Sequence, residues 1–209
     1  MSKKESPLES LTSFLPQGSF EKVSWYLNTY HVQLTITRER KTILGNYQNQ
    51  MTNRMHRISV NGNLNKYAFL VTLLHEIAHM LTFEKFGHKV LPHGSEWKTC
   101  YGSVLSQFIP LNIFPAEIEK VLVDTLSSPG ASTCGDKHLT RALRKYDIKS
   151  DDWILVEDLP LNSLFRIRGG RIFKKGAKIR SRHKCSEVPG DKVYLFSGVF
   201  EVIKVQPNF

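Results

Sequence analysis

The apolar positions of the chain follow two rhythms, one near 3.6 residues and one of two. Between Pro16 and Tyr30, Phe20, Val23, Trp25, Tyr26 and Leu27 recur at helical spacing behind Gln17-Gly18-Ser19, which predicts one amphipathic helix. In HVQLTITRER, Val32, Leu34 and Ile36 alternate with Gln33, Thr35 and Thr37, and after a Gly45-Asn46 break comes HRISVNG, rich in β-branched residues. Alternation of this kind predicts two or three strands of a small antiparallel sheet. Asn63-Leu64-Asn65 then offers capping side chains to YAFLVTLLHEIAHMLTFEKFG, which carries no proline and stops at Gly87, so a long and largely buried helix is expected. Further helices are predicted from Ser95 to Phe108, ending before Pro110, and from Pro115 to Leu126.

The stretch SSPGASTCGD, 127 to 136, concentrates Ser, Pro and Gly as a linker does. Beyond it lies a short basic helix-prone piece, LTRALRKY, and then short β-like runs. Ser163 to Arg168 and Arg171 to Lys174 flank Gly169-Gly170, a two-residue hairpin signal, and the runs 177 to 185, 192 to 196 and 199 to 205 are rich in Val, Ile, Phe and Tyr. The expected organisation is α+β: a domain over 1–126 with its long helix packed on a small antiparallel sheet, a linker and short basic helix over 127–150, and a barrel-like basic β module over 151–209.

Composition adds a charge argument. The 209 residues are 41% hydrophobic and 23% charged, ordinary for a globular chain, yet 29 Lys and Arg face 19 acids for a net charge of +10. Divided after residue 129, the chain has 13 basic and 10 acidic residues before the cut and 16 and 9 after it. That excess asks for a polyanionic partner. The leading MSKKESPLES has no apolar segment behind it, the apolar runs are too short to span a bilayer, and three scattered cysteines suit a reducing interior. A cytoplasmic protein without membrane contact is expected.

The candidate chemistry lies in the long helix, as His75-Glu76-Ile77-Ala78-His79. Residues four apart on a helix share a face, so two imidazoles at that spacing can converge on one tetrahedral Zn²⁺, with Glu76 beside them as a proton acceptor. H-E-x-x-H arises by accident in roughly two per cent of chains of this composition. Here the neighbours Val71, Leu74, Ile77, Ala78 and Leu81 are apolar, and burying two imidazoles and a carboxylate among them is costly without a metal. A catalytic zinc needs a third protein ligand, for which His88, His93 and Glu96 are available. His93, between Pro92 and Gly94 at a helix entrance, is the best placed; His88 also reads as a solvated loop residue and Glu96 as a first-turn acid.

The segment LVTLLHEIAHMLTFEKFGHKVLPHGSEWKTC resembles the SprT-like (Spartan-type) metallopeptidases, whose pattern is H-E-x-x-H followed by a loop and H-G-x-x-[FW]. His75, Glu76, His79 and His93-Gly94-Ser95-Glu96-Trp97 match it position by position, over a resemblance that covers about residues 8 to 126. It implies a zincin-type fold, one catalytic Zn²⁺ on His75, His79 and His93, Glu76 as the base, and substrates among DNA-bound or DNA-crosslinked proteins. Members of that family often carry a paired-cysteine zinc ribbon, which this chain lacks. A second zinc on Cys134, His138, His183 and Cys185 would have four N/S ligands but no C-x-x-C knuckle, so a linker Cys134 and a buried Cys185 are the favoured reading.

Between Arg166 and Lys184 stand nine Lys or Arg in nineteen positions and no acid. Lys178, Arg180, Arg182 and Lys184 occupy every second place, so one strand would present all four on one face. With Arg166, Arg168 and Arg171 they form the expected nucleic-acid contact, unless they serve as a solvated face. The expected function is a zinc metalloendopeptidase acting on DNA-associated proteins. Its rivals are a DNA-binding or scaffold protein with a structural or inactive zinc site, and a zinc hydrolase of small amides.

Overall fold

The computed structural model describes residues 7–40, 43–49, 55–127, 136–147, 153–190 and 192–205. It divides into two compact units, Met1–Asp147 and Ile148–Phe209. The chain mixes helix and sheet, compatible with α+β; among the described residues the α-helices lie in the first unit, and the second is built of strands and their connections.

In the first unit α1 (Phe20–Thr29) leads into β1 (Val32–Thr37), β2 (Gly45–Gln48) and β3 (His56–Asn61). These form a three-stranded sheet in the order β1-β3-β2. The antiparallel sheet expected from the sequence needs correcting, because β1 runs parallel to β3 and only β2 is antiparallel to it. The connection leaving β1 carries β2 past the place beside it, and β3 then inserts between the two. The centre strand is the most buried: Ile58 and Val60 are inaccessible and lie under the long helix α2 (Lys66–Phe86).

Local signals set the ends of α2. The Asn65 side chain accepts from the Tyr67 and Ala68 N–H groups at 3.1 and 3.0 Å, satisfying two of the donors that a helix start leaves open. At the other end Gly87, with φ 62°, donates its N–H to the Phe83 carbonyl at 2.7 Å. Between these caps thirteen residues are buried, His75 and Glu76 among them, because α2 has the sheet on one side and α3 (Ser95–Phe108) on another. Trp97, Val104, Leu105 and Phe108 of α3 complete the core with Ile118 and Leu122 of α4 (Ala116–Ser127).

The short basic helix α5 (Lys137–Arg144) belongs to this unit and not to a linker between units. Asp136 caps it, accepting from the His138 N–H at 2.8 Å, and Leu139 and Ala142 enter the first core. Most of the expected linker, 128–135, lies outside the described residues. Among the described residues no helix is long and apolar enough to cross a membrane.

Among the described residues the second unit forms one sheet of six strands: β4 (Trp153–Leu155), β5 (Leu164–Arg166), β6 (Ile172–Ile179), β7 (Arg182–Val188), β8 (Val193–Ser197) and β9 (Glu201–Val205), in the order β4-β9-β5-β6-β7-β8. By strand pairing it is open, with β4 and β8 as its edges. The Glu157 N–H bonds to the Gly198 carbonyl at 3.0 Å, so the chain beyond β4 meets the end of β8 and the sheet curls around Phe165, Phe173, Cys185 and Val202.

Candidate metal centre

The fold gathers three imidazoles from two elements. His75 and His79 stand one turn apart on α2, with their Nε2 atoms 3.1 Å apart. His93 comes from the connection between α2 and α3, where the Gly94 N–H bonds to the Leu91 carbonyl at 3.0 Å and closes a turn. The backbone of His93 is left-handed, with φ 60°, a conformation that costs a non-glycine residue about 1 kcal/mol. In exchange its Nε2 sits 3.0 Å from that of His75 and 3.0 Å from that of His79.

Three nitrogens bound to one tetrahedral ion at ~2.0–2.1 Å lie about 3.3 Å apart, and this triangle is within a few tenths of that. Hydrogen bonds do not account for it, since three nitrogens facing one point cannot each both donate and accept. Burial, then the neighbouring imidazoles, pushes the His75 pKa down to about 3; burial and His93 bring His79 to about 4, and burial lowers His93. All three imidazoles are therefore neutral at pH 7, the form able to bind a metal ion. Among the described residues this is the one His, Cys, Asp and Glu cluster able to hold a metal ion.

Trp97 backs the triad, its ring 4.7 Å from the rings of His75 and His93 and 5.3 Å from that of His79, and it stacks on Tyr101 at 4.9 Å. The aromatic pair fixes ring orientation and keeps water off one side. Tyr101 is buried at 6.0 Å from His75, a packing residue behind the ligands. Glu96 stays in the first turn of α3 with Ser95 Oγ donating to it at 3.0 Å, and His88 is exposed against Phe83; neither joins the cluster.

Glu76 points from α2 toward the sheet and is 6% exposed. Burial raises its pKa to about 7, against the opposing pull of the Tyr47 backbone N–H, which donates to the carboxylate, and of the Arg40 charge. The strand β2 approaches so closely that a Cβ on Gly45 would meet Glu76 Oε1 and Thr72 Cγ2, both at 2.7 Å. Arg40 is held in turn by Asn61 Oδ1 at 2.8 Å and Ser59 Oγ at 2.9 Å. Sequence reasoning missed Gly45, Tyr47 and Arg40 as parts of this site. The glycine is visible in the sequence, but as a break between strands.

The basic residues of the second unit separate into two sets. Arg171 grips Glu187 through two bonds of 2.6 and 2.8 Å and lies over the rings of Phe173 and Tyr194, at 5.1 and 4.8 Å. Arg168 lies 4.9 Å over Trp153 and 3.5 Å from Glu201. Both belong to the framework of the sheet. Arg166, Lys178, Arg180, Arg182 and Lys184 are exposed. The expected single strand bearing Lys178, Arg180, Arg182 and Lys184 on one face needs correcting, because the chain reverses at Arg180-Ser181 between β6 and β7. Arg180 makes the turn with φ 53°, and Lys178 pairs with His183, opposite in facing to Arg182 and Lys184. A bulge precedes this pair, where a Cβ on Gly176 would strike the Lys184 carbonyl.

The charge split also changes. With the boundary at Asp147, 17 basic against 12 acidic residues in the first unit and 12 against 7 in the second leave +5 on each. The second unit still carries the denser charge, being less than half as long. Of the residues considered for a second zinc, Cys134 lies outside the described ones, His138 is on α5 of the first unit, and Cys185 is fully buried in the core of the second.

Comparison with known proteins bears on the first unit. The family model described as SprT-like family matches residues 9–118, over half of the chain. The chain belongs to the SprT-like family. The matched span runs from the residues before α1 into α4 and so contains the whole triad, Glu76 and β2, while the β module lies beyond it. No curated protein and no solved structure matches this SprT-like chain.

Proposed function

We propose that the chain is a zinc-dependent metalloendopeptidase with a zincin-like catalytic unit, acting on proteins bound or crosslinked to DNA in the cytoplasm. The observation that carries this reading is the convergence of three Nε2 atoms, those of His75 and His79 from the helix that also bears the buried Glu76 one residue after His75, because a purely structural metal site has no use for a base there. His75, His79 and His93 would hold the ion, and three ligands leave the fourth tetrahedral position open. Bound zinc supplies Lewis-acid polarisation of the scissile carbonyl and acidifies the attacking water.

Glu76 takes the proton of that water and hands it to the leaving amine; a pKa near 7 suits a group that must do both at neutral pH. The Tyr47 N–H and Arg40 favour its ionised form, and Gly45 lets β2 lie against it. Among the described residues β2 is an edge strand, a position from which a strand can pair with an extended substrate. The exposed cations Arg166, Lys178, Arg180, Arg182 and Lys184 would bring the enzyme to DNA through phosphate contacts without sequence preference.

Cleavage of a DNA-bound protein by wild type and by Glu76→Gln tests the reading. The variant should keep its metal and lose about 10²- to 10⁴-fold in kcat. Equal cleavage by both would sink the mechanism and leave a structural zinc site as the better account.

A further inference from the structure

We propose that Tyr47, His56 and Glu84 form a hydrogen-bonded latch that locks β2 onto α2 and thereby positions Glu76, an inference that rests on reading Glu76 as the general base. The Tyr47 hydroxyl on β2 lies 2.9 Å from Nδ1 of His56 on β3, and Nε2 of the same imidazole lies 3.1 Å from Glu84 Oε1 in the last turns of α2. One proton arrangement satisfies every member: the Tyr47 O–H donates to Nδ1, and the Nε2–H donates to the carboxylate. His56 is buried and Glu84 half-exposed, so the chain runs from the interior to the surface at the α2 terminus. Phe83 covers it, its ring 6.4 Å from that of Tyr47 and 6.3 Å from that of His56. Burial, and then the Glu84 charge, raises the Tyr47 pKa, which keeps the phenol protonated as a donor.

The connection to Glu76 runs through one residue. Tyr47 gives its side chain to the latch and its backbone N–H to the Glu76 carboxylate. The strand that carries it has four residues and, among the described residues, pairs on one side only, with β3. Such a strand has little of its own to fix its place on the helix. Glu84 lies eight residues beyond Glu76, about 12 Å along α2. The latch therefore ties β2 to the helix at a second point, away from the catalytic one, and shifting β2 along α2 breaks the Tyr47–His56 bond. Tyr47, His56 and Glu84 are positioning residues in this account, since none touches the reacting atoms.

The test uses the full-length, zinc-loaded protein with Tyr47→Phe, Glu84→Ala and Glu84→Gln. Tyr47→Phe removes one hydroxyl and keeps the ring and the backbone N–H; Glu84→Gln keeps an acceptor for the Nε2–H. The first two should lower kcat about 5- to 20-fold with KM within twofold and zinc content unchanged, while Glu84→Gln retains most of the wild-type rate. Hydrogen exchange at the Tyr47 amide gives a readout without catalysis: it should speed up at least tenfold in Tyr47→Phe and Glu84→Ala, not in Glu84→Gln, while α2 amides hold. Wild-type kcat together with unchanged exchange in Tyr47→Phe and Glu84→Ala would overturn the latch. So would a loss of activity that merely tracks loss of zinc or of folded protein. A wild type that cleaves nothing would instead contradict the peptidase reading, and the exchange experiment would still decide whether the latch holds β2.

Discussion

The two units treat buried polar groups in different ways. In the first, His75 and Glu76 are buried, and their pKa values are displaced to about 3 and about 7, so burial disfavours the charged form of each. In the second, the buried Lys175 points its ammonium at two backbone carbonyls, Glu157 at 3.0 Å and Leu159, and Arg171 is clamped by Glu187 between two rings. A charged residue of the β module that is buried or stacked is satisfied by its own sheet. The first unit satisfies its buried His56 and Asn61 internally as well, but it directs the imidazoles of His75, His79 and His93 to one point, where an ion would satisfy them. Shifted groups converging in one place mark a functional site better than abundance of charge does.

This contrast can be attacked at several sizes of effect. The largest is expected from His79→Ala, which leaves two ligands: metal binding and cleavage should both vanish, as read by metal analysis and a proteolysis assay. Next is Gly45→Ala, whose methyl would push Glu76 aside; kcat should fall about 10- to 100-fold with metal retained, because small displacements of a catalytic group are that costly.

A smaller effect concerns stability and separates the units by sign. The folded pKa of Glu76 is raised above its usual 4.5, so the stability it contributes is present below pH 4.5 and lost as pH rises through about 7. Glu76→Gln should thus stabilise the metal-free protein increasingly from pH 4.5 to 7, by up to about 3 kcal/mol in urea melts. His75 and His79, whose pKa values are depressed, act in the opposite direction: their contribution is present above pH 6.5 and lost on acidification toward 3 to 4. Lys175→Met should instead destabilise its unit by about 1–3 kcal/mol, since it removes the donor to the buried Leu159 carbonyl and the part-buried Glu157 carbonyl. If both substitutions moved stability in the same direction at pH 7, the contrast between the units would fail.

The smallest effect tests the exposed cations. Arg180→Ala with Arg182→Ala should weaken binding to a DNA duplex several-fold and flatten its salt dependence, with the melting temperature unchanged. Arg171→Ala should lower the melting temperature and leave the salt slope alone.

What the sequence made legible follows from how local each signal is. The α2 helix, its Asn65 cap, its Gly87 end and the pair His75 and His79 depend on neighbours within a few positions, and they could be read directly. His93 is one of three candidates in the sequence, singled out by the turn of Pro92 and Gly94, and the structure brings it beside His75 and His79. The parallel pairing of β1 with β3 had no local trace, because it is set by where two connections lead the chain. The reversal at Arg180-Ser181 was hidden for another reason. Lys178, Arg180, Arg182 and Lys184 imitate one alternating strand, and the residue adopting the positive φ is an arginine where a glycine would have announced the turn. Helix α5 follows a Ser-, Pro- and Gly-rich stretch and buries only Leu139 and Ala142 in the first core, too few apolar positions to mark its place in the sequence. Gly45, Tyr47 and Arg40 act on Glu76 only through contacts made after folding, so no pattern in the chain marks them.

The central claim is that His75, His79 and His93 hold one catalytic zinc. Metal analysis of the purified full-length chain beside His93→Ala tests it most directly. One zinc per wild-type chain, and a loss of at least about tenfold in affinity in the variant, is the predicted result. A wild type that binds no zinc, or a His93→Ala protein that holds it as tightly as the wild type, would contradict it.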